Sequence, residues 1–122
     1  MPSDVRCAFD VYTPVLVMPF GLEEDSGLGE ARLQGARVFV AAKPGLTERG
    51  LMIRLHREMA QPGSSALAQQ CRPNVRELDV SVFAGEGGFW VELSASEERS
   101  AASVLRWAQK GLYAARDATP AR

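Results

Sequence analysis

Leu78-Asp79-Val80-Ser81-Val82-Phe83-Ala84-Gly85-Glu86-Gly87-Gly88-Phe89-Trp90-Val91-Glu92-Leu93-Ser94 is the stretch on which the fold turns. Leu78, Val80 and Val82 alternate with Asp79, Ser81 and Phe83. After the glycine-rich break, Phe89, Val91 and Leu93 alternate with Trp90, Glu92 and Ser94. A two-residue period is that of a half-buried strand, and two such runs around glycines make an antiparallel hairpin. A loop of Gly85–Gly88 pairs Ala84 with Phe89, Val82 with Val91 and Val80 with Leu93, so both apolar faces agree. A loop one residue longer would set Val80 against Glu92, mixing core and solvent sides.

This register has a consequence for surface chemistry. Phe83 and Trp90 become cross-strand neighbours on the side away from the aliphatic residues, beside Ser81, Asp79 and Glu92. They either lie under another element or form an aromatic contact surface, because paired rings supply large, rigid area.

Outward from the hairpin, Ser94 and Glu97 have the spacing of a capping box, which predicts a helix starting there. Ala101, Leu105, Ala108, Leu112 and Ala115 then recur at intervals of three and four, an amphipathic stripe running to about Ala115. Trp107 falls just beyond the edge of that stripe, where it packs on a neighbouring strand or faces a partner. The tail is expected to fray from about residue 117.

Toward the N-terminus, Ala36–Ala42 reads as a strand ended by Lys43-Pro44-Gly45. Val5, Cys7, Phe9 and Val11 alternate with Arg6, Ala8, Asp10 and Tyr12, which predicts another strand. Pro14 interrupts it, and 15–18 continue as an edge segment before Pro19, because proline lacks the N–H that a central strand needs. Residues 20–35 read as a long acidic loop whose spacing matches neither a calcium-binding nor a nucleotide-binding motif. Residues 47–60 satisfy two patterns. Thr47 as N-cap with Leu51, Leu55 and Met59 describes a helix, whereas Leu51, Ile53 and Leu55 alternate as in a strand; the expectation is a helix, or a strand followed by a helix. Pro62-Gly63-Ser64 marks a break, and Ser64 or Ser65 caps a short helix through Gln70.

With 122 residues, 46% hydrophobic and 24% charged, the chain holds enough apolar material for one domain spanning 1–122. The fold class expected is α+β: an antiparallel or mixed sheet of four to five strands, with a C-terminal amphipathic helix packed on one face. Fourteen Lys and Arg against fifteen Asp and Glu give a net charge of -1, mixed along the chain, with only Lys43 to Arg57 leaning basic. Nucleic acid is therefore not an expected partner. No secretory leader opens the chain and no apolar run is long enough for a membrane span, so the setting expected is cytoplasmic.

Candidate chemistry is sparse. Cys7 and Cys71 lack a CxxC partner and read as two buried thiols, with a mutual disulfide as the alternative. His56 is the only histidine, which excludes the usual zinc sites. No metal or cofactor is implied. Two function classes follow. The favoured one is a non-catalytic protein-interaction or regulatory domain, self-associating or binding another protein through Phe83, Trp90 and Trp107. The alternative is a small enzyme or ligand-binding domain with a polar pocket near His56 and Cys71, lined by Arg54, His56 and Tyr12.

Overall fold

The computed structural model describes residues 7–21, 32–61 and 71–118, with side chains to 112 in the last segment. Its elements, in chain order, are α1 (Ala8–Val11), β1 (Pro14–Phe20), β2 (Gly35–Ala41), α2 (Glu48–Met59), β3 (Asp79–Gly85), β4 (Gly88–Ser94) and α3 (Glu98–Ala118). The four strands form one antiparallel sheet in the order β1-β2-β4-β3. β2 and β3 thus run in the same direction with β4 between them. The fold is α+β, with the C-terminal helix packed against the sheet.

The hairpin has the register that its alternation predicts: Val80 opposite Leu93, Val82 opposite Val91, Phe83 opposite Trp90 and Ala84 opposite Phe89. Gly85 and Gly88 also pair, which leaves Glu86 and Gly87 as the turn. Gly87 sits at φ 85°, a backbone region that glycine enters without the Cβ clash other residues meet.

One side of the sheet carries the core. Ala36, Val38, Val40, Val80, Val82, Val91 and Leu93 cluster with Leu51, Leu55 and Met59 of α2 and with Val104 and Ala108 of α3. α2 lies over β3, while α3 lies over β1 and β2. Ala101 is fully buried and Ala108 nearly so, and such small side chains let α3 sit close to the strands beneath. Both long helices therefore cover the same face.

Residues 47–60 resolve as a helix throughout. The Thr47 hydroxyl accepts the Gly50 N–H at 3.0 Å, satisfying one of the donors left open at a helix start. Leu51, Leu55, Glu58 and Met59 then fall on the buried side.

Three expectations need correction. Of the strand read from Val5 to Val11, the described part is a short helix, Ala8–Val11, and the strand begins at Pro14. Alternation over so few residues gave way to long-range contacts. The Ala8 N–H donates to both oxygens of the Glu58 carboxylate, at 3.1 and 2.9 Å, and Ala8 is fully buried. Second, Cys7 and Cys71 are joined as a disulfide across 64 residues rather than standing as separate thiols. Third, the last helix does not start at Ser94. That residue ends β4, paired with Gly35 and Asp79, and the first helical bond runs from the Ala101 N–H to the Glu97 carbonyl. Ladder pairing on both sides outweighed a local cap. The short helix read for 64–70 and most of the acidic loop lie outside the described residues.

β1 is an edge strand, as its two prolines require. An irregularity between Pro14 and Leu16 leaves Val15 without a partner on β2, and Val15 and Leu16 are both exposed.

Candidate functional site

Because side chains alternate along every strand, the register fixes what stands on the side of the sheet away from the helices. One row crosses all four strands: Leu16, Phe39, Trp90 and Phe83. The next row is Met18, Arg37, Glu92 and Ser81. Leu16 is 45% exposed and Phe83 41%, so the two ends of the apolar row are open to solvent. Phe39 and Trp90 between them are half-buried, their ring centroids 4.9 Å apart and tilted by 59°. A tilted pair at this distance sets the positive edge of one ring against the negative face of the other.

The glycines of the hairpin explain how these rings lie. A Cβ at Gly85 would stand 2.7 Å from Cδ1 of Trp90, and one at Gly88 would stand 2.8 Å from Cζ of Phe39. Both rings occupy space that any other residue would fill. The indole and the phenyl therefore lie along the sheet, and a flat apolar strip results.

The polar row beside it is internally matched. Arg37 reaches Glu92, its direct cross-strand neighbour, through Nη2 at 2.9 Å and Nε at 3.0 Å. The same guanidinium lies 5.1 Å from the centre of the Phe20 ring. Two donors on one carboxylate hold both side chains in place, whereas a partly exposed pair adds little to stability. Among the described residues, the face thus offers aromatic and aliphatic contact area bordered by an ordered ion pair.

Trp107 stands elsewhere. It packs on the helix side of the sheet, against the core and 6.1 Å from the Phe9 ring. The structure brings Phe83 and Trp90 together and leaves Trp107 on the opposite side of the sheet.

Around α2, the His56 side chain is exposed, whereas Cys71 is 1% exposed and bonded to Cys7. A thiol in a disulfide is not a nucleophile. Arg54 interacts with Glu58 at 3.4 Å and lies 5.9 Å from the Tyr12 ring, with the Lys43 ammonium 5.5 Å from the same ring. Glu58, 4% exposed, is the centre of this cluster. Burial pushes its carboxyl above the usual range, against the lowering pull of the Ala8 N–H and Arg54. By accepting the Ala8 N–H, Glu58 fastens α1 to α2. Among the described residues, no group of three His, Cys, Asp or Glu could hold a metal ion.

Reading the sequence overlooked Leu16 and Phe39 as members of the outer face. The alternation of Ala36, Val38 and Val40 against Arg37 and Phe39 carried that signal for Phe39, whereas Leu16 depends on the irregularity at Val15. It also overlooked Arg72, whose guanidinium donates to the carbonyls of Met59, Gln61, Pro73 and Val75. This clip fastens the end of α2 to the approach of β3. No known protein family, characterised protein or solved structure matches this chain.

Proposed function

We propose that this protein is a non-catalytic interaction domain that binds another protein through the outer face of its sheet. The observation that carries the reading is the apolar row Leu16–Phe39–Trp90–Phe83, which crosses every strand and ends in two exposed side chains. None of the four belongs to the buried aliphatic core cluster. Aromatic side chains with few rotatable bonds lose little entropy on contact and dominate the energetics of many interfaces. The Arg37–Glu92 pair supplies a polar border that orients a partner.

As to setting, no described helix is long and apolar enough to cross a membrane. The Cys7–Cys71 bond favours a compartment where thiols stay oxidised, because a reducing cytosol would hold the two sulfurs as thiols. This weighs against the cytoplasmic setting expected from the sequence.

A photo-reactive phenylalanine analogue at position 83, compared with one at exposed position 53, tests the reading in extracts of the native source. A defined cross-linked protein from position 83 and none from position 53 is the expected result. Equal, diffuse labelling from both positions would refute the face as a binding surface.

A further inference from the structure

The two edges of the sheet are treated oppositely. β1 carries Pro14 and Pro19 and an irregularity at Val15, all of which obstruct the addition of another strand. β3 has none of these. It is seven regular residues, Asp79–Gly85, with no proline, no lysine and no bulge against β4.

The hydrogen-bond pattern shows which groups β3 leaves open. Ala42 N–H donates to Gly87 and Ala95 N–H to Gln34, so the odd-numbered residues of β4 bond toward β2. Ladder alternation then turns Gly88, Trp90, Glu92 and Ser94 toward β3, where they meet Gly85, Phe83, Ser81 and Asp79. The N–H and C=O groups of Val80, Val82 and Ala84 consequently point away from the sheet. No described strand pairs with them.

We infer that β3 pairs with β3 of a second copy of this chain, antiparallel and centred on Val82, joining two sheets into one. The strand is self-complementary in that register. Val82 meets the partner's Val82 and Val80 meets the partner's Ala84, each pair exchanging both backbone bonds through the groups left open. Asp79 is the only charged residue of the strand, and it falls opposite the partner's Gly85, so no like charges oppose each other. Val80 and Val82 stay on the helix side, and the half of the core each copy contributes runs on into the other. On the outer side, the two exposed Phe83 rings become diagonal neighbours, within reach of one another. A second copy fits this edge better than an arbitrary extended peptide, because the strand matches itself in charge, in apolar side and in open backbone groups.

The inference rests on the reading of this protein as an interaction domain, but it uses the edge of the sheet rather than its face. A strand of seven residues spans about 23 Å, so the contact is small and the dimer is expected at roughly micromolar concentrations and above. Sedimentation velocity on the full chain from about 1 to about 200 µM reads this directly. Wild type is expected to shift from monomer to dimer. Ala84→Pro removes one outward N–H and no bond to β4, and is expected to raise the dissociation constant at least about tenfold with the circular dichroism spectrum kept. In a Ser81→Cys, Phe83→Cys double variant, position 81 faces the partner's position 83 in a non-hydrogen-bonded pair, with Cα atoms about 4.5 Å apart. Peptide mapping after mild oxidation is expected to find the 81–83 bond between chains, and this measurement stands even if Ala84→Pro fails to fold. A wild type that stays monomeric throughout, or a dimer without the 81–83 bond, overturns the inference. A dimer lost in Leu16→Asp and kept in Ala84→Pro also overturns it, while leaving the outer face as the binding surface. Labelling at position 83 by a different protein, with the chain monomeric, does the same.

Discussion

Replacing both cysteines by alanine, Cys7→Ala with Cys71→Ala, should cost the folded state about 4 kcal/mol. The bond joins residues 64 apart, and the entropy removed from the unfolded chain by a closed loop of that length comes to about 14 cal/mol/K, or about 4 kcal/mol at 25 °C. Alanine rather than serine is the suitable replacement, because Cys71 is buried and a hydroxyl there would need a partner. The unfolding entropy of a chain this long is roughly 0.26 kcal/mol/K, so the melting temperature should fall by roughly 15 °C. Urea unfolding and thermal melts followed by circular dichroism, each with and without dithiothreitol, measure the two effects. Reduced wild type should lose nearly as much as the double variant. Any extra loss in the variant, about 1 kcal/mol, would report the space vacated at Cys71. If variant and reduced protein both lie within about 1 kcal/mol of the oxidised protein, the bond does not constrain the unfolded chain and the reasoning fails.

Four further outcomes follow from single substitutions. Arg72→Met should lose about 2–4 kcal/mol of stability in urea unfolding, since four carbonyl contacts vanish together and their energies do not add. An effect below about 1 kcal/mol would show the clip to be incidental. For Glu58, the folded state holds its proton at pH values where the unfolded chain, with a value near 4.5, has released it. Stability should therefore fall as pH rises from about 4.5 through the raised folded value and then level off, and Glu58→Gln should flatten that slope in urea midpoints measured across the range. Gly88→Ala should cost about 1–3 kcal/mol in thermal melts, because its Cβ would stand 2.2 Å from the Val40 carbonyl oxygen, a backbone atom that cannot yield. Gly85→Ala meets the Trp90 ring most closely, with Phe39 Cε1 at 3.7 Å, and should chiefly shift indole emission.

The hairpin was legible because every one of its inward positions is apolar and only one register keeps them together. The face carrying Phe83 and Trp90 followed from that register alone. What escaped was decided by distant residues. Ala8–Val11 alternates like a strand, yet its first N–H is taken up by Glu58, fifty residues away. Ser94 and Glu97 have the spacing of a cap, yet Gly35 and Asp79 claim Ser94 for the sheet. Two cysteines 64 apart gave no sign of meeting until α1 was set beside the end of α2. Arg72 escaped for the same reason: its acceptors are main-chain carbonyls, which no side-chain pattern marks. Of the candidate site, Phe83 and Trp90 could be grouped from local alternation, whereas Leu16 and Phe39 join them only through the pairing of separate strands.

Both long helices lie on one side of a single sheet, so the two sides of each strand answer to different demands. A change at Val38 or Val91 is tested by whether the chain folds at all. On the reading proposed above, a change one residue along, at Phe39 or Trp90, is tested largely by what the finished molecule meets. Relatives of this chain should therefore hold their inner rows nearly constant while the outer rows drift together, row by row, as their contacts diverge.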